Sequence, residues 1–347
     1  MAVKREFCGE SQTGAPIYVY HLSNNSGMEV DILNYGCIIR NLFVPDKDGN
    51  KVDVVLGYDD YRDYFVNDVF FGAAVGPSAN RIADAKYSID GKEFILPIND
   101  GPNNLHTDIN NGFHKRVWDA EEGESFVKFT LKAEDGDLGF SGNRVFELTY
   151  TLSDENALSL HYHATSDART LINMTNHSYF NLSGQDFGSC LDHTLKLNCS
   201  KYTPVIDSAS IPTGEIAPVE GTPFDFTQPK TIGQDIEADN EQLKFVGGYD
   251  HNFVVDNADG TRRSFATASS PVTGITMQCS TTLPGVQLYT GNFLNHNKGK
   301  GGKEYLKRDG FCLETQFFPN SINQEGFPDS IFGPDREYDA ITVYQFS

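Results

Sequence analysis

The sequence predicts an all-β protein, a large antiparallel β-sandwich with few short helices. Three observations lead there. Apolar residues recur with period two in many short segments spread over the 347 residues. Asp-Gly pairs punctuate those segments, as hairpin turns do. Helical periodicity is scarce, and no alternation of strands with helices appears, which disfavours a doubly wound fold.

Taken in order, the alternating runs begin with Ile17-Tyr-Val-Tyr and Met28-Glu-Val-Asp-Ile-Leu. Residues 59–67 and 237–245 each read as a short helix. In Val127-Lys-Phe-Thr-Leu-Lys132 the residues Val127, Phe129 and Leu131 share one face, and the lysines share the other. Phe146-Glu-Leu-Thr-Tyr-Thr-Leu152 and Leu158-Ser-Leu-His-Tyr-His-Ala164 alternate in the same way, as strands buried on one face do. Gly274-Ile-Thr-Met-Gln-Cys and Ala340-Ile-Thr-Val-Tyr-Gln-Phe follow. Hairpins are expected at Asp90-Gly91, Asp135-Gly136 and Asp259-Gly260. Asn297-Lys-Gly-Lys-Gly-Gly-Lys303 lacks the spacing of a phosphate-cradling loop and reads as a mobile surface loop. No Pro/Ser-rich linker interrupts the chain, so residues 1–347 are expected to form one domain.

The net charge of −21 argues against nucleic acid, anionic membranes and other polyanions as partners. No run approaches the ~18 apolar residues of a membrane span. The N-terminus is charged and lacks an apolar stretch, unlike a secretory signal, so a cytoplasmic location is expected. The six cysteines, Cys8, Cys37, Cys190, Cys199, Cys279 and Cys312, are scattered and expected to be free and buried. Five glycosylation sequons start at Asn24, Asn173, Asn176, Asn181 and Asn198. Three of them crowd one Asn-rich stretch and read as coincidence.

That stretch is Asn173-Met-Thr-Asn-His-Ser-Tyr-Phe-Asn-Leu-Ser-Gly184. It carries no charged residue. His177 is its one titratable group and the side chain best suited to move protons near neutral pH. Its asparagines either meet a polyhydroxylated ligand or shape the turn that aims His177. Four other places draw notice. Arg81, beside Asn80 in a polar break, offers a permanent planar fork of donors. His106 lies in a turn-rich segment. Asp250 lies where paired glycines enter an apolar strand. Glu314 stands alone in Phe311-Cys-Leu-Glu-Thr-Gln-Phe, where burial disfavours its charge unless a partner bonds it. His161 and His163 share a strand face, but it is the face opposite the core and no third metal ligand is identifiable. Taken singly, each of these residues reads more readily as structural. Composition and spacing stop at a β protein with a His/carboxylate site.

Together the segments resemble the aldose 1-epimerase (galactose mutarotase) family. The matching pieces are Asn80-Arg-Ile-Ala-Asp-Ala-Lys-Tyr-Ser-Ile-Asp-Gly91, Asn104-Leu-His106, Lys115-Arg-Val-Trp118 and Asp135-Gly-Asp-Leu-Gly-Phe-Ser-Gly142. Asn176-His-Ser-Tyr-Phe-Asn-Leu-Ser-Gly184, Gly247-Gly-Tyr-Asp-His-Asn-Phe253, Pro284-Gly-Val-Gln-Leu-Tyr-Thr-Gly-Asn-Phe293 and Glu314-Thr-Gln-Phe-Phe-Pro-Asn-Ser-Ile-Asn323 complete the set. The resemblance implies a β-sandwich with a sugar cleft, no metal and no organic cofactor. It implies interconversion of α and β anomers of free hexoses such as galactose and glucose. His177 matches the family's general acid and Glu314 its general base. Asn80, Arg81, His106, Asp250 and Gln287 match substrate-binding positions, with Tyr179 as a pocket neighbour. The partner expected is a small aldose sugar, and the chain a monomer or weak homodimer.

The chain departs from the family at Thr107-Asp108, where two glycines are common, and at Pro77, where an Arg is common. Both departures bear on sugar preference. The rival readings are a glycoside hydrolase using Asp250 and Glu314, a non-catalytic sugar-binding module, and an epimerase of a hexose 6-phosphate. The mechanism needs Glu314 ionised and His177 protonated together, so Asp250 or Glu314 is expected to hold the proton on His177.

Overall fold

The computed structural model describes residues 2–347. Three antiparallel sheets make the framework. The N-terminal sheet runs in chain order through Ala2–Glu10, Pro16–Ser23, Glu29–Leu33, Ile39–Pro45 and Lys51–Asp53. The nine-stranded sheet begins with Asp119–Glu122, Phe126–Ala133, Arg144–Leu152 and Ala157–Ser166. It continues through Tyr338–Phe346, Thr276–Thr281, Arg263–Ser269, Thr194–Leu197 and Lys230–Thr231. The third sheet is Ala217–Pro218, Lys201–Thr203, Asp250–Val254, Gly285–Tyr289 and Cys312–Gln316.

One face of the nine-stranded sheet supplies the floor of the core. Arg144–Leu152 and Ala157–Ser166 alternate buried and half-buried residues without a break, as the period-two sequence requires. The N-terminal sheet covers part of that floor. Tyr20 meets Phe129 edge to face with ring centroids 5.4 Å apart, and Tyr150 Oη donates to Cys37 O at 2.7 Å. The third sheet covers the rest. Tyr344 Oη donates to Leu313 O at 3.1 Å, and the hydroxyls of Thr315 and Thr342 lie 2.6 Å apart. His161 and His163 face outward, as expected, beside Asp339 and Glu337. All six cysteines are free, and all but Cys8 are buried.

The two short helices form at the expected windows, the second running one residue past its end. Tyr61–Val66 is a 3₁₀ turn capped by Asp60, and Glu241–Val246 is an α-helix capped by the Asn240 side chain. Among the described residues no helix is long and apolar enough to cross a membrane.

The Asp-Gly pairs diverge. Asp90-Gly91 is a two-residue hairpin turn joining Lys86–Ile89 to Lys92–Ile95, with φ of 53° and 78°. Asp135-Gly136 opens a longer connection between its paired strands, carrying a 3₁₀ turn at Asp137–Gly139. Asp259-Gly260 makes no hairpin. Its flanking strands, Asp250–Val254 and Arg263–Ser269, belong to different sheets. The turn chemistry is present, since Asp259 Oδ1 accepts from Thr261 N at 2.9 Å. A local turn signal does not say which strand comes next in space.

The glycine-lysine loop is exposed at Lys298, Gly301 and Gly302, as a surface loop is, but a buried lysine anchors it. Asn297–Lys298 pairs with Glu304–Tyr305, and Lys300 is only 4 % exposed. Lys300 Nζ donates to Asp53 Oδ2 at 2.7 Å and to Val55 O at 2.8 Å. The carboxylates that dock this loop lie far earlier in the chain, so the local sequence looks like free, solvated charge. Removing one partner of a buried ion pair leaves the other uncompensated. Lys300→Met is therefore expected to cost about 3 kcal/mol in urea unfolding. A change within ~0.5 kcal/mol, the usual value for a surface site, would restore the surface-loop reading.

Candidate active site

The Asn-rich stretch is buried and mostly extended, with a short strand at Thr175–Asn176, bridges at Asn173 and Phe180, and a turn at Leu182-Ser183. Asn173 receives Phe317 N on its side-chain oxygen at 2.8 Å. Asn176 accepts from Ser178 N and Ser178 Oγ and donates to Gly72 O. Asn181 donates to Gly188 O and Asp309 O. All three asparagines are spent on backbone and turn contacts. They fix the segment that presents His177, whose own amide donates to Ala73 O at 2.9 Å.

The third sheet supplies the opposing wall. Alternation puts Cys312, Glu314 and Gln316 on one face of their strand, with Leu313 and Thr315 on the core side. Register aligns Asp250, Tyr289 and Cys312 in one cross-strand row and Asn252, Gln287 and Glu314 in the next. Behind the wall runs a chain of amides. Asn80 Nδ2 donates to Gln316 Oε1 at 3.3 Å, and Gln316 Nε2 donates to Gln287 Oε1 at 3.2 Å. Gln287 Nε2 then donates to Asp250 Oδ1 at 2.7 Å.

The third wall comes from two loops that bond to each other. His106 N donates to Asn80 O, and Asn80 N donates to His106 Nδ1 at 3.1 Å. The ring proton of neutral His106 is therefore on Nε2. Arg81 Nε donates to Asp100 Oδ2 at 2.7 Å. Among the described residues no acceptor takes its Nη1 or Nη2. Phe70, Asn80 and His106 all hold left-handed backbone, with φ of 61°, 56° and 53°. Such strain persists only where surrounding contacts enforce it, and it gathers at ligand sites.

These walls enclose a small cleft of about 140 Å³. Asn80, Arg81, His106, His177, Tyr179, Asp250 and Glu314 all line it. Gln287 does not. It sits behind Asp250 and fixes that carboxylate instead. The departures at Pro77 and Thr107-Asp108 do not line the cleft either. Thr107 Oγ1 donates to Ser78 O and accepts from Ser78 N, stapling the two loops together. Asp108 accepts from the amides of Asn110 and Asn111 and closes its own turn.

His177 Nε2 lies 3.7 Å from Glu314 Oε2, and both side chains are buried. Phe70 and Tyr179 stack near the imidazole at centroid distances of 5.8 and 5.0 Å. Burial disfavours charge on every group here. It lowers His177 to about 4 and drives Glu314 well above the usual carboxylate range, with the Asp250 charge adding to the rise and Arg81 opposing it. Burial also raises Asp250, against the Arg81 charge and the Gln287 hydrogen bond, and drives His106 well below the usual histidine range. Asp250 is thus hydrogen-bonded to Gln287, feels the Arg81 charge, and makes no ion pair with His177 among the described residues. Glu314 Oε2 has no hydrogen-bond partner among the described residues.

His106, His177 and Glu314 bring possible ligand atoms within 4.8 Å of one another. They fit a metal poorly. A metal on His106 Nε2 would move the ring proton to Nδ1, against the Asn80 amide that already points there.

Sequence reasoning passed over Phe70, Tyr289 and Phe293, which also line the cleft. Tyr289 had a signal, since it alternates with Gln287 on one strand face. Phe70 had none, because its place depends on an unusual backbone angle.

The aldose 1-epimerase family model matches residues 18–345. Galactose mutarotase of Bos taurus is 40 % identical over 348 residues, covering 100 % of this chain and 99 % of that protein. Aldose 1-epimerase of Escherichia coli (strain K12) is 36 % identical over 336 residues, covering 96 % of each. The crystal structure of galactose 1-epimerase from Lactobacillus acidophilus superimposes with a TM-score of 0.86 at 30 % identity, covering 100 % of this chain and 99 % of that one. With its fold, its cleft and nearly its whole length matched, the chain belongs to the aldose 1-epimerase family.

Proposed function

We propose that the chain interconverts the α and β anomers of free aldoses, with Glu314 as general base and His177 as general acid. The observation that carries this is the 3.7 Å between His177 Nε2 and Glu314 Oε2. Ring opening takes a proton from the hydroxyl on C1 and gives one to the ring oxygen O5. Both oxygens are bonded to C1, so acid and base must stand close together inside one cleft. The buried, unpartnered Glu314 Oε2 is an acceptor awaiting a hydroxyl.

Glu314 removes the C1 hydroxyl proton as the C1–O5 bond breaks, and His177 Nε2 delivers a proton to O5. The open-chain aldehyde turns about C1–C2. O5 then attacks the other carbonyl face, returning its proton to His177, while Glu314 returns its own to the carbonyl oxygen. No group is consumed. General acid and base catalysis supply ~10²- to 10⁴-fold each, or about 3 to 5 kcal/mol apiece. Arg81 and Asp250 grip the remaining hydroxyls, with Asp100 and Gln287 holding them in turn. Among the described residues Arg81 is the one Arg or Lys lining the cleft, which favours an unphosphorylated sugar. The same reading takes the chain as one domain, since the main apolar cluster draws side chains from Tyr20 to Phe346.

Galactose, named in the Bos taurus and Lactobacillus acidophilus relatives, is the first substrate to try. Polarimetry of freshly dissolved α-galactose is expected to show Glu314→Gln and His177→Asn each slowed by ~10²- to 10⁴-fold. A near wild-type rate in either variant removes that residue from its role.

The pH profile follows from the opposed shifts. Above about 4 His177 is neutral, and below its raised value Glu314 keeps a proton. Between those limits the pair holds one shared proton, and its transfer to His177 readies acid and base together. Below about 4 a second proton arrives and the base is lost. Above the raised value of Glu314 the last proton leaves and the acid is lost. The plot of kcat/KM against pH is expected to be a bell whose alkaline limb lies well above the ordinary carboxylate range. An alkaline limb inside that range contradicts the shared-proton scheme.

A further inference from the structure

We propose that Cys312 is a positioning residue: its sulfur accepts the Nδ1–H of His177, so that Nε2 is the ring nitrogen free to take and give the catalytic proton. The inference rests on the reading of His177 as the acid.

Cys312 and Glu314 stand two residues apart on the same face of one strand. Cys312 Sγ lies 3.6 Å from His177 Nδ1, and Glu314 Oε2 lies 3.7 Å from Nε2. One strand therefore addresses both nitrogens of the imidazole. Among the described residues no other side chain bonds Nδ1, and the backbone of His177 itself also offers the ring a hydrogen bond. The ring's other neighbours are the faces of Phe70 and Tyr179 and the edges of His106 and Tyr289, which do not reach it with a hydrogen bond.

Chemistry chooses the direction of the bond. The acid must lose its proton to O5 and recover it in the same turnover. Nε2 faces Glu314, so Nε2 is the nitrogen that alternates, and Nδ1 must stay protonated throughout. The thiol is wholly buried. Burial, and then the charges of Glu314 and Asp250, hold it in the neutral SH form. A neutral thiol sulfur is a weak acceptor. It orients the ring without raising its basicity as a carboxylate would, and a group that must give up a proton gains from that.

The direct test is a long-range ¹H–¹⁵N spectrum of the histidine rings near neutral pH, with the His177 signals assigned by their loss in His177→Asn. The expected result is Nδ1 protonated and Nε2 bare. The opposite tautomer overturns the proposal, and it does so whether or not His177 proves to be the acid. Polarimetry of His177→Asn judges that earlier reading separately. Two variants give the kinetic test. Cys312→Ala, which removes the acceptor, is expected to lower kcat about tenfold with KM unchanged, and its His177 signals are expected to shift toward the Nε2–H tautomer. Cys312→Ser, which keeps an acceptor, is expected to restore most of kcat. Wild-type kcat in Cys312→Ala, or equal losses in Ala and Ser, assigns Cys312 to packing alone and overturns the proposal. If Cys312→Ala fails to fold, the wild-type spectrum still decides.

Discussion

A carboxyl group on a strand buried on both faces is the constraint from which the cleft follows. Glu314 is 2 % exposed, and an isolated ion so placed would cost several kcal/mol. The cost is avoided by a retained proton, since burial drives Glu314 well above the usual carboxylate range. Among the described residues no Lys or Arg pairs with it directly, and its buried Oε2 is left without a hydrogen-bond partner. Amides fill the positions around it instead, linked from Asn80 through Gln316 and Gln287 to Asp250. Amides are fixed dipoles that need no proton, so they can rigidify a buried wall without capturing the proton the chemistry must move.

The sandwich was legible in the sequence because one-sided burial writes period two directly into the chain, as in Arg144–Leu152. Glu314 stood out for the same reason, a charge inside an otherwise apolar alternation. Depth was not legible. Gln287 and Glu314 are neighbours in one cross-strand row, yet Glu314 reaches the cleft and Gln287 stops behind Asp250. The difference depends on how strands twist and stack, which no single segment records. Long-range partners were hidden as well. Lys300 looked like solvated charge because Asp53 is on another sheet, and Asp259-Gly260 looked like a hairpin because the change of sheet leaves no local mark.

The departures from the family pattern show how a loop can change its residues and keep its job. Thr107 replaces a glycine's freedom with a side-chain staple. It sits at φ 71° with its hydroxyl bonded on both sides of Ser78. A hydroxyl that can donate and accept compensates part of the backbone strain. His106 next to it keeps its own strained angle and its bond to Asn80. The wall is preserved by different chemistry, and the altered side chains point away from the space a sugar would fill.

The position of the final strand has a consequence for the order of assembly. Tyr338–Phe346 lies between Ala157–Ser166 and Thr276–Thr281, and the two halves of the nine-stranded sheet share a ladder only through it. The floor of the core is therefore unfinished until Tyr338–Phe346 has paired along both of its edges. Long-range closure of this kind is slow, since the entropy of joining distant segments comes before the contacts that offset it. Until then each half exposes an unpaired edge, and such edges are where chains associate wrongly.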